Sequence, residues 1–102
     1  MNHFTDDAGY KAIASQVDWT FLASKPPGDH PIGANFTTLG PETPNLANRL
    51  RIPRTKLSYR LSFAGADGLM PLEGGRGMFI LYSPSTYVVV RERQESHGET
   101  GL

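Results

Sequence analysis

Two short strand-like segments near the front of the chain each set a polar side chain between apolar neighbours: His3-Phe4-Thr5, and then Gly33-Ala34-Asn35-Phe36-Thr37-Thr38. Residues two apart on a strand face the same side, so His3 and Thr5 pair an imidazole with a hydroxyl. Asn35 brings an amide that can both donate and accept hydrogen bonds, while Phe36 points to the opposite face. Further along, Gly74-Gly75-Arg76-Gly77 offers backbone N–H groups that could cradle a phosphate, with Arg76 adding charge; a plain hairpin turn is the other reading. Glu73 beside that turn and Asp67 in the Gly65 to Gly68 turn are the carboxylates able to swing into a site, or else solvated turn residues. Arg49, Arg51, Arg54 and Lys56 cluster at a helix exit, where they complement either a ligand's phosphates or the helix C-terminus.

Other chemistries find no footing. The three histidines, His3, His30 and His97, fall in separate segments without ligand spacing, and cysteine is absent, so no metal is assigned. There is no P-loop, dinucleotide fingerprint or Gly-x-Ser-x-Gly elbow. Ten basic residues against ten acidic leave no net charge to attract nucleic acid, which is therefore disfavoured as a partner. No apolar run approaches the ~18 residues that span a bilayer, and the polar start after Met1 is not a signal peptide. The expectation is a soluble domain without a membrane partner, either cytoplasmic or delivered as part of a larger secreted protein.

A chain of 102 residues supports one core. The pattern predicts a strand at Asn2 to Thr5, then a helix from about Asp7 to Ser15 with Ala8, Tyr10, Ile13, Ala14 and Val17 on one face. Strands follow at Trp19 to Ala23 and Ala34 to Leu39, separated by a proline-rich loop, and then a helix from about Pro44 to Leu50, with Pro44 as its first residue. Leu57, Tyr59, Leu61 and Phe63 alternate with polar residues and read as one strand. Met78 to Tyr82 and Tyr87 to Arg91 read as the last two strands, tightly linked by Ser83-Pro84-Ser85; Gln94 to Leu102 reads as a disordered polar tail. The fold class is α+β, mostly β, with two short helices in the first half and about six strands. Residues 1–93 form the domain and 94–102 the tail.

The ordered set of motifs resembles the compact toxin-type ADP-ribosyltransferases that carry a His-Tyr-Asp signature. The shared features are the His-x-Thr strand, a Trp/Phe strand ending in Ala-Ser, Gly-x-x-Phe-Thr-Thr-Leu, the helix exit Leu-Ala-x-Arg-Leu-Arg-Ile-Pro, the Gly-Gly-Arg-Gly turn and a final Tyr-Val-Val-Val strand. The resemblance runs from His3 to about Val90 and implies split antiparallel sheets and NAD as substrate. It implies that His3 hydrogen-bonds a ribose hydroxyl with help from Thr5, and that Arg76 or the basic cluster meets phosphate. Asn35 stands where the family has the tyrosine that stacks on nicotinamide, and an amide has no π face. Aligning the last strand puts Thr86 where the family has its acid, leaving Glu73 or Asp67 to supply a carboxylate.

Two functions follow from the resemblance. One is transfer of ADP-ribose from NAD to a protein, a small molecule or water, with an immunity protein as the partner a toxin implies. The other, supported by Asn35 and Thr86, is a domain that has lost catalysis and binds ADP-ribose, another ligand or a protein. A small β-rich interaction domain unrelated to the family is the third reading.

Overall fold

The computed structural model describes residues 1–23, 33–71 and 80–102. Strand β1 (Asn2–Thr5) runs into helix α1 (Asp7–Ala14), and β2 (Trp19–Phe21) and β3 (Ala34–Thr37) follow. Helix α2 (Leu46–Leu50), a 3₁₀ turn (Arg54–Leu57) and β4 (Tyr59–Phe63) form the middle. Then come β5 (Met70–Pro71), β6 (Ile80–Ser83), β7 (Tyr87–Val89), a 3₁₀ turn (Arg91–Arg93) and β8 (Gln94–Glu99). The fold is α+β, mostly β, with two short helices in the first half.

All pairings are antiparallel. Six strands form one sheet in the order β5-β6-β3-β1-β4-β8, and β2 pairs with β7 in a second, two-stranded sheet. The first strand therefore lies inside the large sheet, with Asn2 opposite Thr37 on β3 and His3 opposite Leu61 on β4. Strand alternation gives the large sheet two apolar faces. On one, Ala34, Phe36, Leu61 and Phe63 pack against Trp19, Phe21, Tyr87 and Val89 of the small sheet, with Tyr10, Ile13 and Ala14 of α1 at the side. On the other, Phe4 and Ile80 pack against Leu46, Leu50 and Leu57.

Helix α1 starts where the sequence provides for it. The Asp6 carboxylate caps the Gly9 N–H at 2.9 Å and pairs with Lys56 Nζ at 2.8 Å, while Asp7 and Lys11 form an i,i+4 pair at 3.0 Å. Gly9 is required here, because a Cβ at this position would overlap the Thr5 hydroxyl beneath it. Arg93 closes the far end of the core. Its guanidinium lies 5.4 Å from the Phe63 ring centroid and 5.6 Å from that of Tyr87. It donates to the Ala64 carbonyl and the Tyr87 hydroxyl, each at 3.0 Å, and that hydroxyl donates to the Asp67 carbonyl at 2.6 Å.

Several sequence expectations are corrected. Gln94 to Leu102 is not a disordered tail: β8 pairs with β4 from Phe63↔Gln94 to Tyr59↔Glu99, and Thr100 N–H bonds the Ser58 carbonyl. It escaped notice because an edge strand with polar side chains shows no apolar alternation. α2 begins at Leu46 rather than Pro44, after a left-handed Asn45. Leu57 belongs to a 3₁₀ turn, not to β4. Ala8 and Val17 are exposed, the latter at 70%: Ala8 lies on the outer side of α1, and Val17 lies beyond its end. The Ser83-Pro84-Ser85 link carries the chain from one sheet to the other, since β6 pairs with β3 and β7 with β2.

Candidate functional site

A cleft of about 340 Å³ opens between α1, β2 and the start of β3. His3 lines it together with Ile13, Gln16, Thr20, Phe21 and Leu22, and Gly33 to Asn35 form its β3 side. The lining is mostly apolar with a few polar groups, and the volume falls in the roughly 300–1,000 Å³ range of small-ligand sites.

His3 is held on three sides. Its ring centroid is 4.8 Å from that of Phe21 and 5.6 Å from that of Phe36, and its Nδ1 is 2.9 Å from the Asn35 carbonyl oxygen. A carbonyl can only accept, so Nδ1 carries the proton in this bond. Burial against the two rings pushes the imidazole pKa down from its ordinary 6.5; the Asn35 carbonyl opposes the shift and the Lys56 charge adds to it. The ring is therefore neutral near pH 7, with Nε2 left as an acceptor that has no hydrogen-bond partner among the described residues. Gln16 is committed to the wall itself: its side-chain oxygen accepts from the Thr20 N–H at 3.0 Å, joining the end of α1 to β2. An acceptor nitrogen and the Thr20 hydroxyl set among apolar walls suit a ligand that is partly apolar and carries hydroxyl donors.

The structure gathers only part of the expected set. His3 and Asn35 meet, but through the Asn35 main chain. Ala34 and Phe36 share the core face with His3, so alternation turns the Asn35 side chain to the other face, beside Phe4. There Nδ2 makes a long 3.4 Å bond to the Gly33 carbonyl, and Oδ1 is buried without a partner. Thr5 shares the His3 face, as expected, but lies buried beneath Gly9 and does not line the cleft. Thr86 is exposed in the link before β7 and Asp67 is exposed in its turn; neither lines the cleft. Among the described lining residues none is a carboxylate. Glu73 and Arg76 lie outside the described residues, as does His30.

Of the basic cluster, Lys56 is paired with Asp6 and Arg54 lines a separate cavity beside α2, with Asn45 and Asn48. The cluster thus does not face the His3 cleft. The wall residues Gln16, Thr20 and Leu22 were missed by sequence reasoning. The signal for Leu22 was present: it sits next to a buried Phe21, so its side chain must face out, and it is 72% exposed.

Among the described residues no helix is long and apolar enough to cross a membrane, and no cluster of His, Asp and Glu is arranged to hold a metal. Compared with protein-family models, with curated proteins and with solved structures, the chain matches none.

Proposed function

We propose that the cleft takes the nicotinamide-ribose part of NAD, in an ADP-ribosyltransferase-like domain that breaks the bond between nicotinamide and ribose. The observation that carries this reading is His3 in the wall of a mainly apolar cleft, its Nδ1 committed to the Asn35 carbonyl so that Nε2 is the nitrogen left to accept. A ribose hydroxyl is the donor it suits. In the reaction the C1′–N bond breaks, nicotinamide leaves, and C1′ bonds an acceptor atom or water oxygen that gives up a proton. Positive charge develops on the ribose as the bond breaks. A neutral imidazole accepting from a ribose hydroxyl supports that charge, where an imidazolium would oppose it. Phe21 and Ile13 give the cleft apolar walls beside His3.

Incubating the purified chain with NAD and measuring free nicotinamide tests this. Release above the buffer blank, lost in His3→Ala, is expected; release no greater than the blank overturns catalysis by this chain.

A second reading is that the domain binds such a ligand without cleaving it. The placement of Asn35 and Thr86 favours it, because neither brings an aromatic or an acid to the cleft. Calorimetric titration with NAD and ADP-ribose separates the two: heat without nicotinamide release selects binding alone. No heat with either ligand removes the nucleotide cleft altogether.

A further inference from the structure

We infer that Gln94 and His97, on strand β8, are positioning residues that clasp the outer wall of the His3 cleft. The inference rests on the reading of that cleft as the ligand site. Helix α1 supplies Gly9, Ala12 and Ile13 to the cleft, the connection after it supplies Gln16, and β2 supplies Thr20 and Phe21. Yet no residue of α1 is fully buried, and β2 is three residues long and pairs with β7. The α1 side of this wall, without a fully buried residue, opens easily unless something else holds it.

β8 holds it at three points with two side chains, and a fourth contact reaches β7. His97 Nδ1 lies 2.5 Å from the Tyr10 hydroxyl on α1, and the Tyr10 ring stacks on Tyr59 with centroids 4.5 Å apart. The His97 ring also meets Trp19 of β2 edge to face, 5.7 Å between centroids. Gln94 Nε2 uses its two hydrogens on two carbonyls, Val17 in the α1–β2 connection at 2.7 Å and Val89 on β7 at 3.2 Å. The clasp strand is itself fixed at its far end, where the Thr100 hydroxyl donates to the Leu57 carbonyl at 2.5 Å. Neither Gln94 nor His97 lines the cleft, so both act through α1 and β2.

The test compares the full chain with His97→Ala, Gln94→Ala and His97→Gln, the last keeping a group able to bond Tyr10. Three readouts are taken: hydrogen exchange of individual amides, NAD titration, and the fluorescence of Trp19, the one tryptophan of the chain. In the alanine variants, α1 and β2 amides should exchange about tenfold faster while those of β3 and β6 hold. NAD affinity should fall on the order of tenfold, and His97→Gln should restore most of both effects. Trp19 emission should change in His97→Ala. Unchanged α1 and β2 exchange overturns the clasp, and so does faster exchange spread evenly over every strand. Loosened α1 with unchanged NAD affinity overturns its role at the cleft. If the parent chain takes up no NAD, the ligand reading fails, and the exchange pattern alone decides whether the clasp exists.

Discussion

His3 on β1 and Phe36 on β3 share one face of the large sheet with ring centroids 5.6 Å apart, and the Asn35 carbonyl accepts a hydrogen bond from the imidazole Nδ1–H. The contact joins two segments distant in sequence into one local environment that disfavours charge on the ring.

That environment gives stability a definite dependence on pH. The folded chain holds His3 neutral more firmly than the unfolded chain does, so unfolding takes up a proton in the window below 6.5. The contribution is complete above the unfolded value and is lost as pH falls toward the lower folded value. Chemical denaturation at a series of pH values should show midpoints declining below 6.5 in the parent and a flatter profile in His3→Asn. Equal slopes in the two would show that His3 is not the group responsible.

Asp6 joins the start of α1 to Lys56, and its carboxyl is held below its ordinary 3.8, first by the Lys56 ammonium and then by the Gly9 N–H. Asp6→Ala should cost about 1 kcal/mol, the usual scale for losing a helix cap. The side chain is 37% exposed, so most of that loss comes from the cap, not the ion pair. The contribution is present above pH 3.8 and fades as pH falls through the folded value. Urea midpoints of the two proteins at pH 7 and pH 3 should therefore differ less at the lower pH.

Gly9→Ala sets helix propensity against packing. Alanine is favoured over glycine within a helix by about 1 kcal/mol, but the added methyl runs into the Thr5 hydroxyl. Overpacking of this kind costs roughly 1–3 kcal/mol, so Gly9→Ala should destabilise the chain. Adding Thr5→Ala should recover part of the loss, and thermal melts of the two single variants and the double variant would reveal that coupling.

Arg93→Lys keeps the charge but loses the planar fork that spans the Ala64 carbonyl and the Tyr87 hydroxyl while covering Phe63. A loss of about 1–2 kcal/mol is expected, more than an exposed charge would give. A lysine variant melting within a degree of the parent would contradict it.

Much of this was legible in the order of residues. The β1 to α1 passage and the alternation through Tyr59 to Phe63 carry periodicity because one of their faces is buried, while the apolar run at Tyr87 to Val90 is told by its length and β-branched content. β8 carried none, since its side chains are polar and mostly exposed, and it is held by backbone pairing with β4 together with the Gln94 and His97 contacts. At the site, alternation already placed Phe36 and Asn35 on opposite faces. Only the register of β1 against β3 shows which of them shares the face of His3, and register depends on partners far along the chain. The walls of the cleft were hidden for the same reason: Gln16 and Thr20 acquire meaning from the bond between them.

The strand order has a consequence for how the molecule comes into being. β1 precedes both of its neighbours, β3 and β4, in the chain, and Asn2 must find Ser62. During synthesis the strand bearing His3 emerges before either neighbour, and its second one, β4, follows well after β3. Contacts so far apart along the sequence make for slow assembly, and they leave β1 exposed to mispairing on the way. The large sheet can therefore close around β1 only once β4 has been made.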